Sequence, residues 1–308
     1  MSASRPGVYS GLVTFEFLRL RFRFQAVESL SFSSACAANT LRGGLGYKLR
    51  NVACRCQGSR HSKNCEYALL FEPVQTSGGP SGLSDWPRPF VLRARHLDGK
   101  SFSSGQPFSF DLHLFHSSRR ARALLSEAFS TAFEPRARLL AAEQLDAEGH
   151  VLGLVWNGRS VDSFLKPVTV NLGEAGGQSN SLCVRFLTPT ELKSHGRLAA
   201  RPEFSTLFSR IRDRVSQLRT LYGAGPLEID FATMGERAQK IEMTRCDVWT
   251  ERATRHSSRT GQVHPLGGFI GEAEYQGDLA EFKPYLKAAH WTGVGRQTVW
   301  GKGEIAVG

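Results

Sequence analysis

The first strong pattern along the chain is an alternation of apolar and cationic side chains from Val13 to Phe24. A period of two indicates a β-strand with one apolar face and one charged face. The charged face carries Arg19, Arg21 and Arg23. Three arginines in a row repel one another unless an anion faces them, so the pattern favours an anionic partner. The alternative is an edge strand protected by positive charge.

Further patterns predict an α+β protein. In the first half we expect helices at about 33–50 and 117–133, with strands at 67–71, 90–95, 108–115 and 136–145. The second half repeats the order: strands at 181–187, 239–251, 264–276 and 298–307, and helices at 202–222 and 278–289. Two tandem βαββαβ units form the ferredoxin-like plan, which RNA-recognition modules share. A Gly-, Ser- and Asn-rich stretch at 156–180 predicts domains at 1–165 and 166–308.

Two of these helices carry specific local signals. Ser33, Ser34 and Asn39 are candidate N-caps of the first helix, and Asp278 with Glu281 resembles a capping box for the last one. The first helix also contains three glycines, at positions 43, 44 and 46. Because each costs about 1 kcal/mol relative to Ala, they indicate a close backbone approach, to a strand or to a phosphate.

The charge of the chain favours nucleic acid as the partner. Its 308 residues carry a formal net charge of +11, and 30 of the 39 basic residues are arginines. Guanidinium grips phosphate bidentately and stacks on bases, so an arginine excess favours a nucleic-acid partner. A GC-rich genome, which inflates arginine without any functional reason, is the alternative.

Hydropathy excludes a membrane-spanning helix, because no stretch has about 20 consecutive apolar residues. The first 25 residues also lack a secretory h-region. We therefore expect a cytoplasmic protein whose thiols stay reduced.

The sharpest motif is the segment GVGRQTVWGKG at 293–303, which we call the glycine loop. Its glycines at 293, 295, 301 and 303 let the backbone approach a phosphate, and Arg296 and Lys302 add positive charge. The loop precedes a predicted strand, so it fits neither a P-loop nor a dinucleotide-binding turn. A β-turn without a ligand is the alternative.

Other basic groups are candidate RNA contacts, each with a solvated surface as the alternative. Arginines at the start of a helix oppose its dipole and need an anion, which singles out Arg119, Arg120 and Arg122. The remaining candidates are Arg210 and Arg214 on the long helix, and Arg255, His256 and Arg259 in a basic hairpin.

The glycine loop and the preceding stretch LGGFIGEAEYQGDLAEFKPYL at 266–286 resemble CRISPR-associated endoribonucleases of the RAMP superfamily, which process precursor crRNA. LRGGLGYKL at 41–49, CEYALLFEP at 65–73, FSFDLHLF at 108–115 and RFLTPTELK at 185–193 follow the family in the same order. The resemblance implies two ferredoxin-like domains and metal-independent cleavage that leaves a 2′,3′-cyclic phosphate. It also implies an enzyme that stays on the 3′ hairpin of its product.

The sequence departs from the family at the expected general base. Many members have a histidine in or near the first helix, but residues 25–50 contain none. Our candidate catalytic residues are Arg23, Arg42, Tyr47 and His290, with Lys48 as an RNA contact. Arginine stabilises a phosphorane well but hardly deprotonates, so we expect slow cleavage. The arginine-rich, histidine-poor pattern resembles a divergent branch of the family in type IV systems.

The cysteines give the second departure, because relatives often carry a fuller cluster at this point. Cys54, Cys56, His61 and Cys65 remain, which would suit an S₃N zinc site. The C-x-C spacing is tighter than the usual C-x₂-C, so the sequence favours free thiols and no cofactor.

We therefore predict an endoribonuclease that binds the CRISPR repeat stem-loop and cuts precursor crRNA. The partners expected are the repeat RNA, the crRNA and other effector-complex subunits, and no membrane. The rival hypothesis is a non-catalytic RAMP subunit that only binds crRNA, which the missing helix histidine favours.

Overall fold

The structure is a computed structural model. It describes residues 13–34, 37–57, 60–73, 86–116, 118–161, 165–173, 177, 180–194, 196–251, 254–256, 263–265 and 267–308. Arg259 lies outside these residues.

In the first half of the chain, the described residues form three helices and seven strands. In chain order they are β1 (Thr14–Ala26), β2 (Leu30–Ser31), α1 (Ala37–Ala53), α2 (Glu66–Phe71), β3 (Phe90–Arg93), β4 (Ser101–Phe102), β5 (Pro107–Leu114), α3 (Arg119–Thr131), β6 (Ala137–Leu145) and β7 (Val151–Trp156). A short 3₁₀ turn, Arg95–Leu97, separates β3 from β4.

The main sheet of this half is antiparallel, with the strand order β3-β5-β1-β6-β7. Without β7 this is the strand order of a ferredoxin-like βαββαβ unit, in which the first strand lies between the third and the fourth. The alternation in β1 works as predicted: Leu20, Phe22 and Phe24 are fully buried, and their core also contains Leu41 and Leu45 of α1. Helix α1 therefore covers the apolar face of β1, and the arginines point to the other face.

The second half contains β8 (Val168–Asn171), β9 (Ser181–Thr190), β10 (Lys193–Ser194), β11 (Arg197–Leu198), α4 (Phe204–Tyr222), α5 (Phe231–Ala238), β12 (Glu242–Glu251), β13 (Thr254–His256), β14 (Val263–Pro265), β15 (Gly268–Gln276), α6 (Lys283–Thr292) and β16 (Ile305–Val307). Its main sheet has the order β12-β15-β9-β16, which is again the ferredoxin-like order. The predicted α+β class with two tandem ferredoxin-like units is confirmed.

Strand β1 connects the two halves. Its first residues, Thr14 to Phe17, pair with β8, and the rings of Phe15 and Phe17 are buried in the core of the second half. Its later residues pair with β5 and β6 in the first sheet. The boundary between residues 165 and 166 stays a prediction, since β8 follows that point and still pairs with β1.

Three predicted elements are wrong in detail. Residues 67–71 form helix α2 and not a strand, because Tyr67, Leu70 and Phe71 pack as one helical stripe on the core. The last helix begins at Lys283, so Asp278 and Glu281 form no capping box, and Glu281 pairs with Arg237 instead. Much of the predicted last strand is loop, with a 3₁₀ turn at Thr298–Trp300.

The start of α1 and its glycines also differ from the prediction. The Ala37 amide donates to Asp98 Oδ1 at 2.8 Å, so a distant carboxylate caps this end. Cβ atoms at Gly44 and Gly46 would meet the Ala132 carbonyl and the Phe71 ring. These glycines therefore let the end of α3 and the ring of Phe71 in α2 pack closely on α1, rather than a strand or a phosphate.

Across the described residues, no helix combines the length and the apolar character that crossing a membrane would require.

Candidate nucleic-acid interface

The glycine loop folds back on the end of β9 and on the residue that follows it. The Arg296 amide donates to the Glu191 carbonyl at 3.1 Å, and the Gly303 amide donates to the Pro189 carbonyl at 3.1 Å. Within the loop, the Val294 amide donates to the Gly303 carbonyl at 2.9 Å. The loop is thus held by backbone hydrogen bonds on both of its arms.

Packing of backbone on backbone explains two of the loop's glycines. Gly295 and Gly303 have φ angles of +79° and +68°, which disfavour any side chain. A Cβ at Gly295 would overlap the Glu191 carbonyl, and one at Gly303 would overlap the Val294 carbonyl. The glycines permit close approach, as predicted, but the atoms they approach here belong to the protein. Phosphate binding by Gly293, Gly295, Gly301 and Gly303 stays a prediction.

The same loop contacts helix α1 of the other half. A Cβ at Gly301 would lie 2.6 Å from the Ala38 Cβ. One turn further along α1, the guanidinium of Arg42 lies 4.4 Å from the centre of the Phe71 ring and 5.3 Å from that of Trp300. These are cation–π distances, and Arg42 is only 9% exposed. The structure brings Arg42 and the glycine loop together, while its catalytic role stays a prediction.

A groove of about 460 Å³ lies between the glycine loop, α4 and residues 86–88. Three predicted RNA contacts meet here: Arg210, Arg214 and Arg296. The lining is basic, with five cationic and two acidic residues. The two acidic residues partly neutralise this positive charge. Arg210 lies 3.7 Å from Asp213, and Arg296 lies 3.2 Å from Glu191.

Arg214 is the most unusual residue of this groove. Its Nε donates to the Thr292 carbonyl at 3.0 Å, while its buried Nη2 has no hydrogen-bond partner among the described residues. Burial, and next the charge of Arg93, lower the pKa of Arg214 to about 9. An anion in the groove would favour the charged guanidinium and offset that loss of hydration.

Arg93, on β3, is a charged residue that the sequence reasoning missed. Burial lowers its pKa as well, although Glu304 opposes the shift. Its Nη2 donates to the His290 carbonyl at 2.8 Å and the Trp291 carbonyl at 3.2 Å, so it joins the first sheet to α6. Arg93 ends a short apolar strand, and nothing in that local pattern signals a buried cation.

The arginines on the cationic face of β1 pair with carboxylates of the protein itself. Arg19 Nη2 and Arg21 Nε lie 2.9 and 2.7 Å from the carboxylate of Asp111, and Arg23 Nε lies 2.7 Å from Glu143. Burial of Asp111 opposes its ionisation, but hydrogen bonds and charge from the two arginines outweigh burial and lower its pKa. RNA binding by Arg19 and Arg21 stays a prediction, and both now have carboxylate partners.

The structure does not bring the other catalytic candidates to Arg42. Arg23 lies on the opposite face of the first sheet, where it pairs with Glu143, so Arg23 and Arg42 do not face one common phosphate. Tyr47 is 69% exposed and lies on the solvent side of α1, next to the half-buried Lys48. His290 Nδ1 donates to the Ile305 carbonyl at 3.1 Å, and the residue lines a different groove, beside β8.

Burial lowers the pKa of His290 below its usual value. His113 is buried in the core. Its Nδ1 lies 2.9 Å from the Trp291 carbonyl, and burial lowers its pKa to about 3.

The remaining basic candidates lie elsewhere on the molecule. Arg120 at the start of α3 pairs with Glu66 at 2.8 Å, so α2 supplies the anion that this helix end needs. Lys302 is buried rather than exposed. Arg255 and His256 lie on β13, which pairs with β14 as the predicted hairpin. RNA binding by these residues, and by Arg119 and Arg122, stays a prediction.

The cysteine-bearing segment between α1 and α2 forms a compact cluster. The ligand atoms of Cys54, Cys56, His61 and Cys65 all lie within 4.8 Å of one another. Cys54 Sγ and Cys65 Sγ lie 3.4 and 3.6 Å from His61 Nδ1. The structure therefore brings together the four side chains that the sequence singled out as metal ligands.

Comparison with known families finds two matches, one in each half of the chain. Residues 184–305 match the family model of the CRISPR-associated endoribonuclease Cas6, and residues 15–143 match a family described as an N-terminal domain (AF_1859_N). No curated protein matches the chain.

Solved structures agree in fold at low sequence identity. The chain is similar to Thermus thermophilus Cas6 (TTHB231), with 17% identity, 96% of this chain and 100% of that chain covered, and a TM-score of 0.55. The product complex of Cas6 (TTHB231) gives 17% identity, 94% and 99% coverage, and a TM-score of 0.57. The chain is also similar to a partial Cas6-RT-Cas1–Cas2 complex, with 13% identity and a TM-score of 0.59. That match covers 96% of this chain and 47% of that chain.

The Cas6 sequence match covers the part of the chain that contains the glycine loop, and nearly the whole chain shares the fold of solved Cas6 structures. The C-terminal part of the chain is therefore similar in sequence to the CRISPR-associated endoribonuclease Cas6, and the chain as a whole is similar in fold to solved Cas6 structures.

Proposed function

We propose that the protein binds the stem-loop of CRISPR repeat RNA and cleaves precursor crRNA by metal-independent attack of a 2′-hydroxyl. The observation that carries this proposal is the match of residues 184–305 to Cas6, with the glycine loop of that segment packed against α1. One of the structural relatives is a Cas6 product complex, which supports RNA processing as the shared function.

The basic groove beside the loop supports the binding step. RNA stems are recognised mainly through phosphates and 2′-hydroxyls, and arginine contacts phosphate bidentately. Arg210 and Arg296 are 44% and 51% exposed at their side chains, so both can reach an RNA backbone. Arg214 also lines the groove, and its Nη2 is buried.

The chemistry that suits these residues is charge stabilisation. The 2′-oxygen forms a bond to phosphorus while the bond to the 5′-oxygen breaks, and the charge on the phosphorane grows from −1 towards −2. A guanidinium stabilises this state more than the ground state. The described lining of the groove contains no histidine, cysteine or tyrosine. We therefore expect solvent hydroxide to remove the 2′-proton and water to protonate the leaving 5′-oxygen, which makes cleavage slow.

Cleavage of repeat RNA in EDTA tests the proposal. Purified full-length protein should produce one cut, and the 5′ fragment should end in a 2′,3′-cyclic phosphate. A 2′-deoxy substitution at the nucleotide before the cut should abolish cleavage and leave binding intact. A strict requirement for Mg²⁺, or cleavage of the deoxy RNA, would contradict the mechanism.

The pH dependence of single-turnover cleavage tests the absence of a histidine base. If hydroxide removes the proton, the rate should rise about tenfold per pH unit from pH 6 to 9. A plateau near pH 7 would instead indicate a titrating side chain, with His290 as the first residue to replace.

The second candidate function is a RAMP subunit that binds crRNA without cutting it. The groove lining has no histidine among its described residues, and its two carboxylates lie next to arginines, which favours this alternative. Tight, salt-sensitive binding with no cleavage of matched repeat RNA over many hours would select it. Retention of the 3′ hairpin after cleavage, and membership of a type IV system, remain predictions.

A further inference from the structure

We propose that Cys54, Cys56, His61 and Cys65 bind one Zn²⁺ ion in a tetrahedral, structural site that fastens α2 to the end of α1. The site is separate from the groove, and the inference does not rest on the proposed RNA cleavage. It rests on the geometry of four side chains that the fold has brought together.

The spacing of the ligand atoms fits a zinc tetrahedron. With Zn–S bonds of about 2.3 Å and Zn–N bonds of about 2.0–2.1 Å, the S···N edge of a tetrahedron is about 3.5 Å. The two sulfur atoms of Cys54 and Cys65 lie 3.4 and 3.6 Å from His61 Nδ1. Since all four ligand atoms lie within 4.8 Å of one another, small side-chain adjustments complete the set.

The surroundings of the four ligands also suit a metal site. His61 Nε2 lies 3.7 Å from Glu72 Oε2, so a carboxylate lies next to one ring nitrogen while the other, Nδ1, faces the sulfur atoms. This arrangement orients metal-bound histidines in many proteins. The Ser62 amide donates to Cys56 Sγ at 3.3 Å, which stabilises a thiolate.

The donor set selects the metal and its role. Three thiolates and one imidazole favour zinc over hard cations such as Mg²⁺ or Ca²⁺. Four protein ligands also close the coordination sphere and leave no position for a catalytic water. The proposed ion is therefore structural, and it is compatible with RNA cleavage that needs no metal.

The site would have a structural effect on the region of Arg42. Cys54 directly follows α1, and Cys65 is the residue before α2. Helix α2 supplies Phe71, whose ring stacks on the Arg42 guanidinium and fits against Gly46. A zinc ion that fixes the start of α2 would hold this ring, and through it Arg42, in place.

Metal analysis of the full-length protein tests the proposal. The protein is purified without chelators and dialysed against a weak competing chelator. Inductively coupled plasma mass spectrometry should then find about one zinc ion per chain. Cys54→Ser and Cys65→Ser should lose the metal. Cys183→Ser and Cys246→Ser, which change thiols outside the cluster, should retain it.

Two further measurements separate metal binding from a general loss of folding. His61→Cys should keep the metal, since Cys₄ sites also bind zinc, whereas His61→Ala should lose it. Co²⁺ added to metal-free protein should give the visible absorption bands of tetrahedral thiolate coordination. Wild-type protein without zinc, equal zinc in the cluster variants, or a disulfide within the cluster would overturn the proposal. Each readout is independent of RNA cleavage.

Discussion

At the scale of single residues, Asp111 determines how the cationic face of β1 is used. The carboxylate is 10% exposed and accepts hydrogen bonds from both Arg19 and Arg21. Without it, two neighbouring guanidinium groups would face each other on one strand. Asp111 therefore neutralises a face that, taken from the sequence alone, suggests a binding surface for an external anion.

Asp111→Asn should remove the acid sensitivity that this group gives to folding. Because the pKa of Asp111 is lowered in the folded state, its contribution is present above the unfolded value of about 3.9 and is lost as the pH falls through the folded value. Urea unfolding between pH 5 and 2 should show a smaller loss of stability for the variant than for the wild type. At pH 7 the variant should be less stable, by about 1–3 kcal/mol. Parallel pH profiles would contradict the assignment.

Arg42→Ala should slow single-turnover cleavage by about 10² or more and change RNA binding by less than tenfold, if the guanidinium stabilises the phosphorane. Arg42→Lys should recover only part of the rate, since ammonium lacks the planar fork. Arg50→Ala is the matched control, because Arg50 is exposed on the same helix. Arg23→Ala should leave cleavage unchanged, since Arg23 faces away from α1 and pairs with Glu143.

Equal losses of binding and cleavage in Arg42→Ala would make Arg42 an RNA anchor. A fall in thermal stability with unchanged chemistry would make it a tether between Phe71 and Trp300.

At the scale of elements, helix α1 shows how closely three parts of the molecule meet. One of its glycines faces α3, another faces α2, and its first turn contacts the glycine loop. Small residues are needed at these points because a Cβ would collide with a neighbouring backbone or ring. The low helix propensity of α1 is therefore offset by tertiary packing.

Gly43→Ala and Gly46→Ala provide a matched test of this packing. A Cβ at Gly43 meets nothing within 4 Å, so the substitution should stabilise the protein by about 0.5–1 kcal/mol through helix propensity. A Cβ at Gly46 would collide with the Phe71 ring, so that substitution should destabilise it by about 1–3 kcal/mol. Both values follow from thermal or urea unfolding. Equal effects of the two substitutions would show that α2 does not pack as described.

At the scale of the whole molecule, the two ferredoxin-like units are joined around Trp291. Its ring lies 5.0 Å from Phe17 and 5.2 Å from His113, and the Arg19 guanidinium lies 5.6 Å from it. The glycine loop and Arg93 add a second connection between the units. The basic groove beside the loop therefore has walls that are fixed with respect to each other.

The salt dependence of RNA binding tests whether this groove follows the phosphate backbone. In the double variant Arg210→Ala, Arg296→Ala, the slope of log K against log salt should decrease by about 2, which is about 1 for each lost phosphate contact. Arg237→Ala is the control, because Arg237, on α5, pairs with Glu281 and does not line the groove. An unchanged slope in the double variant would place the RNA on another surface.

The sequence by itself determined the order of the elements and the class of the fold. The alternation in β1 is a local pattern, and patterns of this kind along the chain were enough to predict two βαββαβ units. The predicted strand at 67–71 is wrong, because a run of four or five apolar residues suits a buried strand and a buried helix equally well. Only packing against the core decides for the helix.

Tertiary structure alone decided which groups face one another. Asp111 and Glu143 meet the arginines of β1 from neighbouring strands, about 90 to 120 residues away along the chain. Arg42 lies between Phe71 and Trp300, and only the docking of the two units brings Trp300 there. Local patterns report the face on which a side chain lies. They cannot report which charge or ring the fold places opposite it, because that depends on contacts between segments that are distant in sequence.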